Sequence, residues 1–309
     1  MSNPPGGLME WLGDAAGGAE VLGGKGASLD RLGKLGFRVP PGFCLTTDAF
    51  RAQLASTVDA ALGANATVDV TAVADGLARL PLEDTVADVL TGGVERLVAA
   101  VDAAGFAPRF AVRSSALGED GSAASYAGLH ETELGVAPAG IEAAVRRCWA
   151  SLWSTPALAY RVRRELPLDG GGMAVVVQSL VPADASAVVF TRHPVTRTDD
   201  IVITAVRGLG ESMVAGTVTP DTLVLDRRTL EVVDFAPGDR GSRLVASDGG
   251  GVVEVPDAAD DAALDGMLLA DLADLALRVE SGFGAPVDIE AAAAGGRWFL
   301  LQARPITTS

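Results

Sequence analysis

Lysine is nearly missing from this chain. Lys25 and Lys34 are the only two, and arginine supplies the other 22 basic side chains. Compositional drift towards arginine accounts for most of that, which makes a lysine kept inside a glycine cluster, as Lys25 is, a candidate for a specific role. Cysteine is equally scarce. Cys44 and Cys148 lie far apart with no CxxC spacing, which excludes a disulfide framework and suggests two buried thiols in a reducing cytoplasm. The two histidines, His130 and His193, stand in no HxxxH-type spacing and read as local hydrogen-bonding residues. No apolar run approaches the ~20 residues that cross a bilayer. The opening MSNPPGGLMEWLGD has neither the basic nor the apolar region of a secretory leader. A soluble, cytoplasmic protein is expected. The formal charge of -16 argues against a nucleic-acid or anionic-membrane partner, because an acidic surface repels both over a Debye length of about 8 Å.

What is present is a chain of 309 residues, 49% hydrophobic, enough for a large core in two lobes. The patterning predicts an α+β protein whose helix-rich half precedes a β-rich half, with lobes at 1–181 and 182–309 and a hinge near Val181 to Asp184. After the glycines of LGGKGAS, Ala27 to Leu35 reads as a short helix. Thr47 or Asp48 can cap a second helix running to about Leu62. Residues 71–104 continue as Ala-rich helices, FAVRSS is a strand, and Ser114 to Gly128 reads as a loop of small polar residues. Helix returns over 139–165, with Trp149, Leu152 and Trp153 on its apolar face. MAVVVQSLV, SAVVFT and IVITAVR are expected to be strands of one sheet. GDRGSRLVASDGGG (238–251) reads as a disordered or variable loop. A long amphipathic helix then leads to a closing hairpin.

Several of these segments carry chemistry. LGGKGAS departs from the Walker A spacing, yet glycines before a helix can present amides to phosphate, with Lys25 adding a point charge. A flexible turn with a solvated lysine is the alternative. Arg113 ends an apolar strand before a Ser-Ser pair, where it serves either as a cation at a cleft edge or in a structural ion pair. In the closing hairpin Asp288 and Glu290 alternate outward on one strand and Gln302 and Arg304 on the next. Carboxylate and amide oxygens suit magnesium, and an arginine beside them suits phosphate. The alternative is a polar solvent face. Register decides whether these groups share a face. A two-residue Gly295-Gly296 turn would separate Glu290 from Gln302, whereas a three-residue loop of Ala294 to Gly296 unites them. The three-residue loop is therefore expected, with Asp288 opposite Gln302, Glu290 opposite Leu300, and Ile289, Phe299 and Leu301 on the core face.

The ordered series GGKGASL, VPPGF, AVRSSA-xx-ED-x-SAASYAG, HET, AVVVQ-x-LVPAD-x-S-x-VVFT, GLGE, VTPD, DIE and LLQARPIT resembles the ATP-grasp nucleotide-binding domain of phosphoenolpyruvate synthase, pyruvate phosphate dikinase and rifampin phosphotransferase. The resemblance runs from about Leu22 to Thr307. It implies an ATP-grasp fold with two lobes and ATP and Mg2+ as cofactors. By the same resemblance Lys25, Arg113 and Arg304 act catalytically by holding phosphates, and Glu290 and Gln302 bind magnesium. Gln178, Ser179, Leu180 and Val181 would line the adenine pocket, Thr132 and the SAASYAG loop would close over the phosphates, and Glu211 would contact ribose or metal. The implied reaction passes a phosphoryl group from Mg-ATP to a histidine on a separate swivelling domain, and then to a small-molecule acceptor. Relatives continue beyond the point corresponding to Ser309, so a histidine-bearing phosphocarrier domain or subunit is the expected partner. One domain of a longer enzyme, such as a rifampin phosphotransferase, and a regulatory nucleotide-binding module without transfer are the alternatives. Two positions depart from the family pattern: His193 stands where many members carry aspartate, and Tyr126 where phenylalanine is common.

Overall fold

A computed structural model describes residues 7–62, 70–103, 107–117, 132–163, 172–239, 241–257 and 261–306. Two compact units emerge, one made of Met1–Asp30 with Pro41–Leu180 and the other of Arg31–Pro40 with Val181–Ser309. The chain therefore changes unit three times, after Asp30, Pro40 and Leu180. These units differ from the lobes expected at 1–181 and 182–309 by the segment Arg31–Pro40 and by Val181.

The first unit holds β1 (Met9–Trp11), most of α1 (Ala19–Lys34), β2 (Gly42–Leu45), α2 (Thr47–Leu62), α3 (Val70–Arg79), α4 (Asp84–Ala103), β3 (Phe110–Ala116), β4 (Thr132–Val136), α5 (Ile141–Ala150), α6 (Thr155–Arg163) and β5 (Met173–Ser179). Its five strands form one antiparallel sheet in the order β1-β2-β5-β3-β4. Strand alternation sends Phe43, Leu45, Phe110, Val112, Val175 and Val177 to one face. Helices α2 to α5 cover that face with Phe50, Leu77, Leu97 and Trp149. Trp149 is fully buried and still satisfied, because its indole N–H donates to the Met173 carbonyl at 3.1 Å. The expected helix at Thr47 forms, but the capping oxygen belongs to Thr46, whose Oγ1 accepts from the Ala49 N–H at 3.4 Å.

The other face of this sheet is covered by α1, and here the sequence reading needs correction. The helix begins at Ala19, ahead of the glycines, and bends at Gly23, whose φ of 67° and ψ of -179° are not helical. A close approach demands that bend. A Cβ on Gly23 would sit 2.0 Å from the Ser115 carbonyl oxygen of β3. The Ser115 hydroxyl donates to Leu22 O at 2.7 Å and accepts from Gly26 N–H at 3.0 Å. The glycines thus dock the helix onto β3 rather than merely preceding it.

The second unit holds β6 (Ala185–Phe190), β7 (Ile201–Arg207), α7 (Glu211–Val214), β8 (Asp221–Leu225), β9 (Val232–Ala236), β10 (Ser242–Ala246), β11 (Val252–Pro256), α8 (Gly266–Phe283), β12 (Val287–Ala294) and β13 (Arg297–Pro305). Six of its strands form an antiparallel sheet in the order β13-β12-β6-β7-β8-β9. The expectation that 173–181 shares a sheet with the two strands after it fails, since β5 lies in the first unit's sheet. The segment 238–251 is not a featureless loop either, because Ser242–Ala246 pairs with Val252–Pro256 as a separate hairpin. Helix α8 starts at its N-cap Asp265, which accepts from Leu268 N–H at 2.7 Å, and ends at left-handed Gly284. It buries Leu272, Ala273, Ala276 and Val279 against Val287, Ile289 and Ala303. Arg31–Pro40 joins this unit because Leu32 enters the same core, Leu300 N–H donates to Arg38 O at 2.9 Å, and the Arg31 guanidinium lies 4.2 Å from the Phe283 ring centre.

Candidate functional site

In the first unit, the face of the sheet opposite the core carries Arg113 and Gln178. Arg113 stands opposite Val176 on β5 and Thr132 on β4, and Gln178 follows Val176 by two, so all three polar residues share one face. Arg113 and Gln178 are almost wholly buried, at 9% and 1% exposure. Lys25 reaches the same place from α1. Its Nζ donates to the carbonyl of Ser114, the residue after Arg113, at 3.1 Å. The bend at Gly23 and the Ser115 bridge deliver it there. Lys25 is thereby anchored on the residue next to Arg113, 88 positions further along the sequence. The Ser114 hydroxyl, on the core face of the same strand, is buried without a hydrogen-bond partner among the described residues. At the end of β5, Ser179 N–H donates to Pro41 O and Leu180 N–H to Arg109 O, both at 2.8 Å. The SAASYAG loop, Tyr126 and His130 lie outside the described residues.

In the second unit the β12–β13 hairpin assembles the other group. Gly295 and Gly296 have φ of 55° and 72°, so they form a two-residue turn with both central residues left-handed, and Ala294 pairs with Arg297. The expected three-residue loop is wrong. A bulge between Glu290 and Ala291 shifts the register instead, leaving Leu301 as the extra residue, so that Glu290 faces Gln302 and Asp288 faces Arg304. The polar groups share a face as anticipated, but by a bulge rather than an odd turn. The shift also exchanges core positions. Trp298, Leu300 and Ala303 enter the core, while Phe299 and Leu301 do not. Phe299 instead takes the Arg38 guanidinium 5.6 Å from its ring centre.

Arg304 is clamped, since its Nε and a terminal nitrogen both lie 2.8 Å from Asp288 Oδ2. Burial pushes the Asp288 carboxyl above its ordinary value, Arg304 pulls it back, and Glu290 pushes it up again. Sequence reasoning placed Asp288 among the outward polar residues but missed this clamp, because Asp288 and Arg304 oppose one another only through the bulge. Glu211 opens α7. One carboxylate oxygen is buried with no hydrogen-bond partner among the described residues, and burial raises its pKa. Gly210, just before it, lies against Ser186 of β6, two residues from the Val188 that pairs with Glu290. Val181, buried, begins this unit. Among the described residues no three His, Cys, Asp or Glu side chains gather as a metal cage.

Outside these groups, both cysteines are buried free thiols. Burial, with Glu10 and Asp30 adding to it, pushes Cys44 far above the usual thiol range and leaves it inert. His193 does local work, accepting from Val195 and Thr196 N–H at 3.2 Å each through Nδ1. That is the turn geometry an aspartate side chain makes, which accounts for a histidine at this position. No helix among the described residues is long and apolar enough to cross a membrane.

The fold of these two α+β units is that of an ATP-grasp nucleotide-binding domain. The profile described as "Pyruvate phosphate dikinase, AMP/ATP-binding domain" matches residues 19–309, and the chain belongs to that family. Similar proteins include a probable phosphoenolpyruvate synthase of Methanocaldococcus jannaschii, 34% identical over 94% of this chain and 26% of its own length. A rifampicin phosphotransferase of Streptomyces sviceus is 38% identical over 93% of this chain and 34% of its own. A prodigiosin synthesizing transferase of Serratia marcescens is 36% identical over 97% and 33%. The chain thus spans between a quarter and about a third of the length of these relatives. It belongs to an AMP/ATP-binding domain family whose relatives include a rifampicin phosphotransferase.

Proposed function

We propose that this domain binds Mg-ATP and catalyses transfer of a phosphoryl group to a histidine on a separate swivelling domain, which delivers it to a small-molecule acceptor. The observation that supports this most directly is the polar face of β12 and β13, where Glu290 opposes Gln302 and Asp288 holds Arg304. Phosphoryl transfer depends on positioning and on charge stabilisation more than on covalent chemistry by the protein. Lys25, Arg113 and Arg304 would hold phosphate oxygens, and Thr132, directly opposite Arg113, would close over them. Gln178, Ser179, Leu180 and Val181 would line the adenine. Since the Ser179 and Leu180 amides already donate within the first unit, this stretch would meet the base through carbonyl groups and the Val181 N–H.

The residues present fit magnesium. Mg2+ commonly takes one or two protein oxygens and completes its octahedron with phosphates and water. Glu290 and Gln302 supply two such oxygens, and the Glu211 oxygen that lacks a donor can take a metal-bound water or a ribose hydroxyl. When bound, the ion would neutralise negative charge on the phosphates. The swivelling domain belongs either to a partner subunit or to a longer polypeptide; relatives about three times the length of this chain support the second arrangement.

Thermal stabilisation by Mg-ATP is the first test, and its absence would remove the whole reading. Lys25→Ala and Arg304→Ala should each weaken ATP binding by about tenfold or more while leaving adenosine binding within about twofold, because an ion-paired hydrogen bond to phosphate contributes roughly 1.5–3 kcal/mol. Equal losses for both ligands would mean damage to the fold. ATP labelled at its β-phosphate should label a histidine when a histidine-bearing domain is supplied; failure with every candidate domain would reduce the chain to a nucleotide-binding module.

A further inference from the structure

The second unit contains a cavity of about 150 Å³ lined by none of the residues assigned above to nucleotide or magnesium. It forms where the β10–β11 hairpin meets the end of β7, a junction held by the Gly208–Leu244 bridge and by Leu209 N–H donating to Leu244 O at 2.9 Å. Register sets it apart from the hairpin site. Glu290 lies across from Val188, and Val188 across from Thr204. Arg207 is three residues further along β7, about 10 Å at the rise of a strand, with its side chain on the opposite face.

Five charged residues line the cavity, and they are unequally satisfied. Each acid has a partner. Asp239 accepts from Thr219 N–H at 2.7 Å, Glu254 accepts from the Ser242 hydroxyl, and Asp257 lies 3.5 Å from Arg207 Nε. The two arginines keep donors in reserve. Arg207 directs one terminal nitrogen at the Asp261 and Ala262 carbonyls, at 3.1 and 3.2 Å, and its buried Nε lies against Asp257, which leaves its other terminal nitrogen without a hydrogen bond among the described residues. The Arg243 guanidinium makes no hydrogen bond or ion pair among the described residues. Ser212, 7% exposed, adds a hydroxyl. Surplus guanidinium donors beside satisfied carboxylates call for an acceptor with several oxygens, and a guanidinium fork matches carboxylate and phosphate oxygens. Size limits the choice, since at roughly 30 Å³ per water the space holds about five waters. That is well below the ~300 Å³ at which pockets for larger organic ligands begin.

We propose that this cavity is a second binding site, for a small oxyanion of the carboxylate or phosphate type, with Arg243 as its principal cation and Arg207 and Ser212 completing the shell. Calorimetric titration of the whole chain with inorganic phosphate, and separately with acetate, tests it. At least one of the two should bind saturably, and the one that binds identifies the headgroup. Arg243→Gln should weaken that binding roughly tenfold, and Arg243→Lys by less, because lysine keeps the charge but loses the fork. Arg297→Gln on the exposed hairpin and Lys25→Ala should leave it unchanged, the latter separating this site from the phosphate-holding residues whatever becomes of the nucleotide reading. No saturable binding of either anion overturns the proposal. So does binding that survives Arg243→Gln intact, or binding that Lys25→Ala removes.

Discussion

In the proposed site the two units would prepare for opposite charges. In the first, Lys25 on α1 donates to a backbone carbonyl next to Arg113 on β3. In the second, Asp288, Glu290 and Glu211 outnumber Arg304, and Asp288 already holds that arginine. The difference teaches how an acidic chain with only two lysines can take up a polyanion. Under the proposed function one unit would present cations to phosphate, and the other oxygens to a cation of its own. On this view the first unit meets phosphate directly and the second meets it mainly through magnesium.

Substitutions can break that division, and the largest effect belongs to Arg113. Its guanidinium is buried, so Arg113→Ala removes both the charge and the packing of its stem. ATP affinity should fall about 100-fold, equivalent to about 2.7 kcal/mol, at every magnesium concentration. Glu290→Gln should behave differently. It should raise the magnesium concentration needed for half-maximal ATP binding by about tenfold, with affinity recovering at saturating metal. Titrating ATP at several magnesium concentrations separates the two. Recovery of Arg113→Ala by magnesium, or no recovery of Glu290→Gln, would erase the proposed contrast.

The contrast was only partly legible in the sequence. Local pattern sufficed where one element makes the feature: FAVRSS as a buried strand, the helix from Thr47, the amphipathic run of α8. Reasoning failed where a feature depends on a neighbour. The role of Gly23 lies in Ser115, which a helix-start rule cannot see, so the glycines were assigned to the wrong side of the helix. The Gly295-Gly296 turn was readable, yet the bulge that rescues its register is a property of the paired strands. Glu290 and Gln302 were therefore placed on one face correctly, but with the wrong partners, Leu300 and Asp288, and on an incorrect loop. Valine-rich β5 looks like its successors β6 and β7, and only a change of unit after Leu180 separates them.

Stability measurements sharpen the comparison at smaller scale. Gly23→Ala should destabilise the first unit by about 3 kcal/mol, since a side chain there adopts a left-handed φ and meets the Ser115 carbonyl at 2.0 Å. A lowered melting temperature with Lys25-dependent ATP binding weakened in parallel would show that the bend positions the lysine; a lowered melting temperature with unchanged binding would show that it serves only the fold.

The smallest effect is expected from Glu211→Gln in the second unit, and its pH dependence carries the information. Burial raises the Glu211 pKa from its ordinary 4.5, so the folded state binds a proton more tightly than the unfolded chain does. Above the raised pKa the ionised carboxylate opposes folding, and as pH falls through that value towards 4.5 the penalty disappears. The glutamine variant should therefore melt at a slightly higher temperature than the parent at pH 8, with the gain shrinking to nothing as the solution is acidified. Saturating Mg-ATP should reverse the order at pH 8, because the parent then has a cation or a hydroxyl for its orphaned oxygen and the variant has lost the charge that attracts one. Arg113→Ala in the first unit should show no such reversal. A gain for Glu211→Gln that persists in acid, or that Mg-ATP leaves untouched, would mean that this carboxylate is merely strained and takes no part in preparing the second unit for a cation.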